Sequence, residues 1–333
     1  MLHMSTKHRV ALYPRAVQVQ AHGLKASPKG AAPRGEVSRF SEASRRRMQR
    51  MLAMTSATPR HLMTLTYPDA WPSARQAKAH LKTFCQRLER VVEAAGRRLA
   101  VVWRLEFQQR GAPHFHLLIF APDGLPAPAL VRAAKWGKDG SAEDFAAGRR
   151  QADWLQGAAL NEWRALLLWA SVTWNSIVKG WFRKAALLSN SLDAHLKVGT
   201  DLKAIRNARM AVAYVSKYVA KADASDVPES LTEAPGRFWG VRDRSDLLAP
   251  EVLAFLEFDD VHEADVWLEK AMGDTGNQYI EHCVREGFLS WFGFIHDERI
   301  PIMLEHMTDG SAQARRWFGA AAVRAWESRG MDV

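Results

Sequence analysis

The 333 residues are 47% hydrophobic and include only two cysteines, Cys85 and Cys283. That is enough apolar content for one large or two ordinary domains, and too little cysteine for a disulfide scaffold, which fits a reducing cytoplasm. No run of about 18 apolar residues is present, so no membrane span is expected, and the polar, basic start of the chain lacks the apolar core of a secretion signal.

The net charge of +10 is unevenly distributed. Residues 1–60 carry 12 Lys and Arg against 2 Asp and Glu; residues 61–240 carry 25 against 16; residues 241–333 carry 9 against 18. A polyanion is therefore expected to bind the first two-thirds of the chain.

Residues 1–35 mix Pro, Gly, Ala and basic residues without periodicity and read as a mobile basic arm. A helix is expected from Ser41, a plausible N-cap, to about Met54. Arg45, Arg46, Arg47 and Arg50 decorate it, either as a solvated face or as phosphate contacts. Pro59 closes that helix. His61 to Tyr67 then reads as a strand with Thr64 and Thr66 on one face, followed by a helix from about Ala74 to Ala95 with Leu81, Phe84, Leu88 and Val91 at helical spacing. Leu99 to Phe107 is a second strand, rich in β-formers.

A turn, Gln108-Gln109-Arg110-Gly111-Ala112, leads into Pro113-His114-Phe115-His116-Leu117-Leu118-Ile119-Phe120. Here two histidines alternate with bulky apolar residues at period two and share one strand face. They are either a ligand pair or the decoration of a sheet edge. With the turn centred near Arg110, paired residue numbers sum to about 220, which sets Glu106 across from His114 and Arg104 across from His116. Glu106, His114 and His116 can then converge on one ion. A carboxylate with two imidazoles suits Mg²⁺ or Mn²⁺ completed by water or phosphate better than a structural zinc; the plain alternative is a cross-strand Glu–His ion pair.

Residues 121–160 form an insertion rich in Ala, Gly and Pro. An amphipathic helical region with core tryptophans follows, from about Ala152 to Ile177. Trp181 to Leu196 is ambiguous, with His195-Leu196-Lys197 as a candidate strand. A helix is expected from Arg206 to Lys221. Its Val212, Val215 and Val219 form a packing stripe, and Tyr214, Tyr218, Lys217 and Lys221 share another face. A phenol with pKa about 10 needs cationic neighbours, a base or a metal-bound phosphate to attack at neutral pH. The ordinary alternative is a solvated Tyr/Lys face.

Three stretches in this order resemble the motifs of the HUH (His-hydrophobe-His) endonucleases. Leu62 to Pro68 is similar to the first, Arg110 to Leu118, with Glu106 one strand earlier, to the metal-binding second, and Tyr214 to Lys221 to the third of the two-tyrosine branch. Gly236-Arg237-Phe238-Trp239-Gly240 resembles a tract that often follows it. The nearest likeness is to rolling-circle replication initiators of single-stranded-DNA phages and related plasmids, and it covers roughly residues 60–240.

The resemblance implies an α+β fold with a central antiparallel sheet flanked by helices. It implies a basic arm and helix over 1–58, a nuclease domain over 59–240 with a helical insertion at about 121–190, and an acidic C-terminal extension over 241–333. It further implies metal-dependent nicking and joining of origin DNA, single-stranded or supercoiled, in a bacterial cytoplasm. Tyr214 or Tyr218 would be the nucleophile, assisted by Lys217 and Lys221. His114, His116 and Glu106 would hold the ion, and Thr64, Thr66, Arg45, Arg46, Arg47, Arg50 and Arg110 would contact DNA. No phosphate-cradling Gly-rich motif is present, so no fused helicase is expected. The acidic tail is expected to pack on the nuclease core, or else to recruit a host helicase or polymerase. The rival readings are a transposase or mobilisation relaxase with the same constellation, and a non-catalytic nucleic-acid-binding protein.

Overall fold

The computed structural model describes residues 7–22, 39–134, 160–187, 192–205, 228, 234–243, 246–272, 290–295, 299–308, 314–320 and 323. In chain order its elements are β1 (Lys7–Tyr13), β2 (Ala16–His22), α1 (Glu42–Met54), β3 (His61–Leu65), α2 (Ala74–Glu93), β4 (Ala100–Phe107), β5 (Pro113–Phe120) and α3 (Ala127–Ala134). They continue with α4 (Glu162–Lys184), α5 (Leu192–Val198), β6 (Thr200–Ala204), β7 (Trp239–Asp243), β8 (Ala254–Phe258), α6 (Val261–Met272), β9 (Ser290–Phe294), α7 (Ile300–Thr308) and β10 (Arg315–Phe318). The fold is α+β, with two five-stranded antiparallel sheets among the described residues. The chain divides into two compact units, one of residues 1–34, 47–56 and 248–333, the other of residues 35–46 and 57–247.

In the second unit the strand order is β6-β3-β5-β4-β7, so the histidine strand β5 is central. Alternation along β5 gives the sheet two unlike faces. Phe115, Leu117 and Ile119 are wholly buried, as are Leu105, Val101, Met63 and Leu65, which share their side. Helices α2 and α4 close over this side. Arg242 of β7 donates to both carboxylate oxygens of Glu89 in α2, at 2.9 and 2.7 Å, and Trp163 Nε1 of α4 donates to the Leu202 carbonyl of β6 at 3.1 Å. The helices start where side chains can satisfy their first amides: Ser73 accepts from Gln76 N at 3.3 Å, and Asn161 from Arg164 N at 2.8 Å. The tryptophans expected in the core lie there, with Trp169 and Trp174 wholly buried and Phe84 between them. Gly240 lies across from Trp103, where a Cβ would come within 2.8 Å of the indole.

The segment His195-Leu196-Lys197 is helical, within α5, and not a strand; the strand begins beyond it at Thr200. The physical reason is the buried His195, whose Nε2 donates to the Thr66 carbonyl at 2.9 Å while Nδ1 lies 3.1 Å from the Asn175 side chain. The next turn passes so close that a Cβ on Gly199 would lie 2.4 Å from that ring, so only glycine fits.

In the first unit the strand order is β10-β8-β1-β2-β9. Val10, Leu12, Val17, Val19, Leu256 and Phe258 pack under Trp267 and Leu268 of α6 and Met303, Leu304 and Met307 of α7. Two expectations change here. The supposed mobile arm contains the hairpin β1–β2, and the acidic tail builds its core with that hairpin. Both follow from the period-two apolar pattern of Val10-Ala11-Leu12-Tyr13 and Val17-Gln18-Val19, which buries one face only when β8, far along the chain, pairs with β1.

Candidate metal and nucleic-acid site

The sheet face opposite α2 and α4 carries the polar residues. In β5, His114 stands across from Glu106 and His116 across from Arg104, and in β3 Thr64 stands across from His116. The β4–β5 pairing is the one expected from the sequence.

The histidine rings lie 4.6 Å apart, edge to face. His116 Nε2 is 3.3 Å from Glu106 Oε2, and its Nδ1 is 3.2 Å from Thr64 Oγ1. Since the carboxylate only accepts, Nε2 carries the proton in this arrangement and Thr64 donates to Nδ1. A hydroxyl also accepts, so Thr64 equally supports the opposite tautomer, in which Nε2 offers a lone pair. Arg104, only 3% exposed, lies with Nη2 at ion-pair distance, 3.1 Å, from Glu106 Oε1, though not aligned as a hydrogen bond. Its guanidinium also sits 4.9 Å over the Phe40 ring.

These contacts set the charge states. Burial alone would raise the Glu106 pKa, but the His116 hydrogen bond and the nearby Arg104, His116 and His114 charges outweigh it and hold the carboxyl below its usual range. His114 is pushed down to about 4, first by burial and then by the neighbouring His116 and Arg110, with Glu106 opposing. At neutral pH the patch therefore presents one carboxylate and a neutral His114. Between about pH 4 and the ordinary histidine value of about 6.5 the unfolded chain binds a proton at His114 that the folded chain does not. Stability is thus expected to fall as the pH drops from about 6.5 to about 4. Depression of the Glu106 pKa adds a loss of the same sign at lower pH, as that carboxylate is protonated. Thermal melts in EDTA across this range check it; a His114→Ala variant should show a flatter slope.

Among the described residues no three His, Cys, Asp or Glu side chains are already assembled as a metal cage. Glu106 and His116 meet, whereas His114 Nδ1 faces the Gln108 side-chain amide at 3.5 Å. The donor set nevertheless fits a divalent ion. Ligand atoms bonded at about 2.1 Å and at right angles lie about 3 Å apart, close to the Glu106–His116 separation. Glu106 Oε1 is buried without a hydrogen bond, and two imidazoles with one carboxylate suit Mn²⁺ or Mg²⁺ with open positions.

The other expected residues are placed elsewhere. Thr66 lies beyond the end of β3 and bonds to the Gly199 carbonyl at 3.4 Å. Arg110 bonds through Nε to Gln108 and through its Nη atoms to the Tyr67 and Pro68 carbonyls, and sits over Trp71, so it anchors the turn. On α1, Arg46 pairs with Glu42 at 2.6 Å, Arg50 lies over Phe292, Arg45 is half-buried and Arg47 is exposed. Tyr214, Lys217, Tyr218 and Lys221 lie outside the described residues. The buried Arg104 had no assigned role in the sequence reading, although its register position across from His116 placed it on the site face. Of the Gly236–Gly240 tract, Phe238 is buried against Phe40 and Phe107, and Trp239 Nε1 donates to Ser44 Oγ at 3.0 Å.

Residues 60–157 match the family model of the replication-associated protein ORF2. The match covers 98 of the 333 residues, from β3 through α3 and beyond, and contains Thr64, Glu106, His114 and His116 but not the tyrosines. No curated protein and no solved structure matches the chain. No helix among the described residues is long and apolar enough to cross a membrane.

Proposed function

We propose that the chain initiates rolling-circle replication as a metal-dependent endonuclease that nicks and rejoins one strand of origin DNA. The observation that carries this reading is the register of β3, β4 and β5, which gathers Thr64, Glu106, His114 and His116 on one face of a central strand. That this stretch lies within the match to a replication-associated family supports it further.

Glu106, His114 and His116 would hold a Mg²⁺ or Mn²⁺ ion, which when bound polarises the scissile phosphate and offsets its developing charge. Thr64 sets the His116 tautomer, and Arg104 keeps the Glu106 carboxylate ionised and in place. In the transfer step the phenolic oxygen of Tyr214 or Tyr218 forms a bond to phosphorus, the bond from phosphorus to the 3′ oxygen breaks, and that oxygen leaves as a hydroxyl after taking a proton. Lys217 and Lys221 stabilise the added negative charge of the transition state. The 5′-phosphotyrosine ester conserves the bond energy, so rejoining needs no nucleotide cofactor. A second tyrosine can cut a regenerated origin while the first still holds the old end. Host helicase and polymerase would act on the exposed 3′ end.

The test is cleavage of single-stranded oligonucleotides tiled across the replicon that encodes the chain, with Mn²⁺ or with EDTA. Cuts with polymerase-extendable 3′ ends, only with the ion, are expected. No cleavage of any tile would support the non-catalytic binding reading, and cleavage in EDTA would remove the metal assignment.

A further inference from the structure

The first unit's sheet has an outer face whose chemistry differs from its helix-covered face. Residues of β1, β8 and β10 that point away from α6 and α7 include Arg9, Phe255, Glu257, Arg315 and Trp317, set side by side by the strand register. The end of α1 covers part of this face, with Ala53 and Met54 packed on Ala11, Tyr13 and Ala16. Beyond that cover, Trp317 stacks on Phe255, with ring centroids 5.3 Å apart and planes at 17°. The Arg9 guanidinium lies 4.3 Å over the Phe255 ring.

Two features of this face are left unused by folding. Trp317 is 44% exposed. Arg315 is exposed and has no ion-pair partner among the described residues; Glu257, across from it in register, is bonded to Arg9 at 2.9 Å. Arg315 and Trp317 lie two residues apart on one side of an edge strand, about 7 Å along it. A single exposed indole is ordinary. An indole already braced by a second ring, with guanidinium groups nearby, suits an unpaired base on its ring and a phosphate beside it. The helix side of the unit instead exposes Glu263, Glu269 and Glu305, so the charge pattern favours a polyanion on the open face.

We propose that this face is a sequence-tolerant docking site for single-stranded DNA, in which a base stacks on Trp317 and Arg315 takes the adjoining phosphate. The choice of DNA rests on the function proposed above; the site lies on a different unit from the histidine pair and needs no metal.

The experiment is fluorescence anisotropy of a labelled oligo(dT) with the full chain in EDTA, comparing wild type, Trp317→Ala, Trp317→Phe, Arg315→Ala and the double variant His114→Ala/His116→Ala. Trp317→Ala is expected to weaken binding about tenfold and Trp317→Phe to restore most of it. Arg315→Ala is expected to lower the salt slope by roughly 0.7, and the histidine variant to bind as wild type. Arg315 is exposed and unpaired among the described residues, so its variant reports on binding even where Trp317→Ala folds poorly. Wild type that fails to bind oligo(dT), or Trp317→Ala and Arg315→Ala that both bind within twofold of wild type, would overturn the site. Tenfold or greater preference for oligo(rU) would overturn its assignment to DNA. Loss of origin cleavage with oligo(dT) binding intact would instead count against the nickase reading alone.

Discussion

A His114→Ala/His116→Ala variant is expected to lose metal-dependent strand cleavage by about a thousandfold while keeping its fold. Loss of the ion's charge stabilisation at the phosphate accounts for the size of the effect. The fold should survive because both rings lie on the polar sheet face, while Phe115, Leu117 and Ile119 hold the strand to the core from the other side. Removing His114 also removes a group that burial disfavours in its charged form. His116 should matter more of the two, since its nitrogens face Glu106 and Thr64 while the His114 ring nitrogen faces the Gln108 amide at 3.5 Å. Cleavage rates over a Mn²⁺ titration, with calorimetric Mn²⁺ binding, test this. Unchanged cleavage by the double variant would mean that the pair is sheet decoration.

The second large effect is on stability. Trp174→Ala is expected to destabilise the chain by about 3–5 kcal/mol, the range for truncating a buried aromatic, against a typical total of about 5–15 kcal/mol for a domain. Trp174 is wholly buried, packs edge-on against Tyr67 at 5.2 Å and Phe84 at 6.0 Å, and donates its Nε1 to the Thr66 carbonyl at 2.6 Å. His195 donates to the same carbonyl, so the two side chains together fix the end of the strand that carries Thr64. Trp174→Phe should cost less, because it keeps the ring contacts and loses only the hydrogen bond. Urea unfolding followed by circular dichroism measures both; a Trp174→Ala cost under about 1 kcal/mol would contradict this packing account.

Much of the second unit was legible because its signals are local. The hairpin turn at Arg110 fixes the β4–β5 register by counting, and the structure pairs Glu106 with His114 as that count requires. The caps at Ser73 and Asn161 sit beside the helices they start. The first unit was not legible because its pairing is not local: β1 finds β8 across some 240 residues, and short alternating strands among basic residues look like a loop until that partner exists. Arg110 illustrates a different limit. Sequence reveals a cation beside a histidine motif, but only coordinates show that its donors are taken by the Tyr67 and Pro68 carbonyls. The helicity of His195 depends on the contact between its ring and Gly199, which no local pattern encodes.

The central claim is that a tyrosine of this chain becomes joined to DNA. The direct measurement is an SDS-stable adduct between the full chain and a 3′-labelled origin oligonucleotide in Mn²⁺, followed by peptide mapping of the labelled residue. The account predicts an adduct that maps to Tyr214 or Tyr218, disappears in EDTA, and is absent from the Tyr214→Phe/Tyr218→Phe variant. An adduct that survives that double substitution would contradict it.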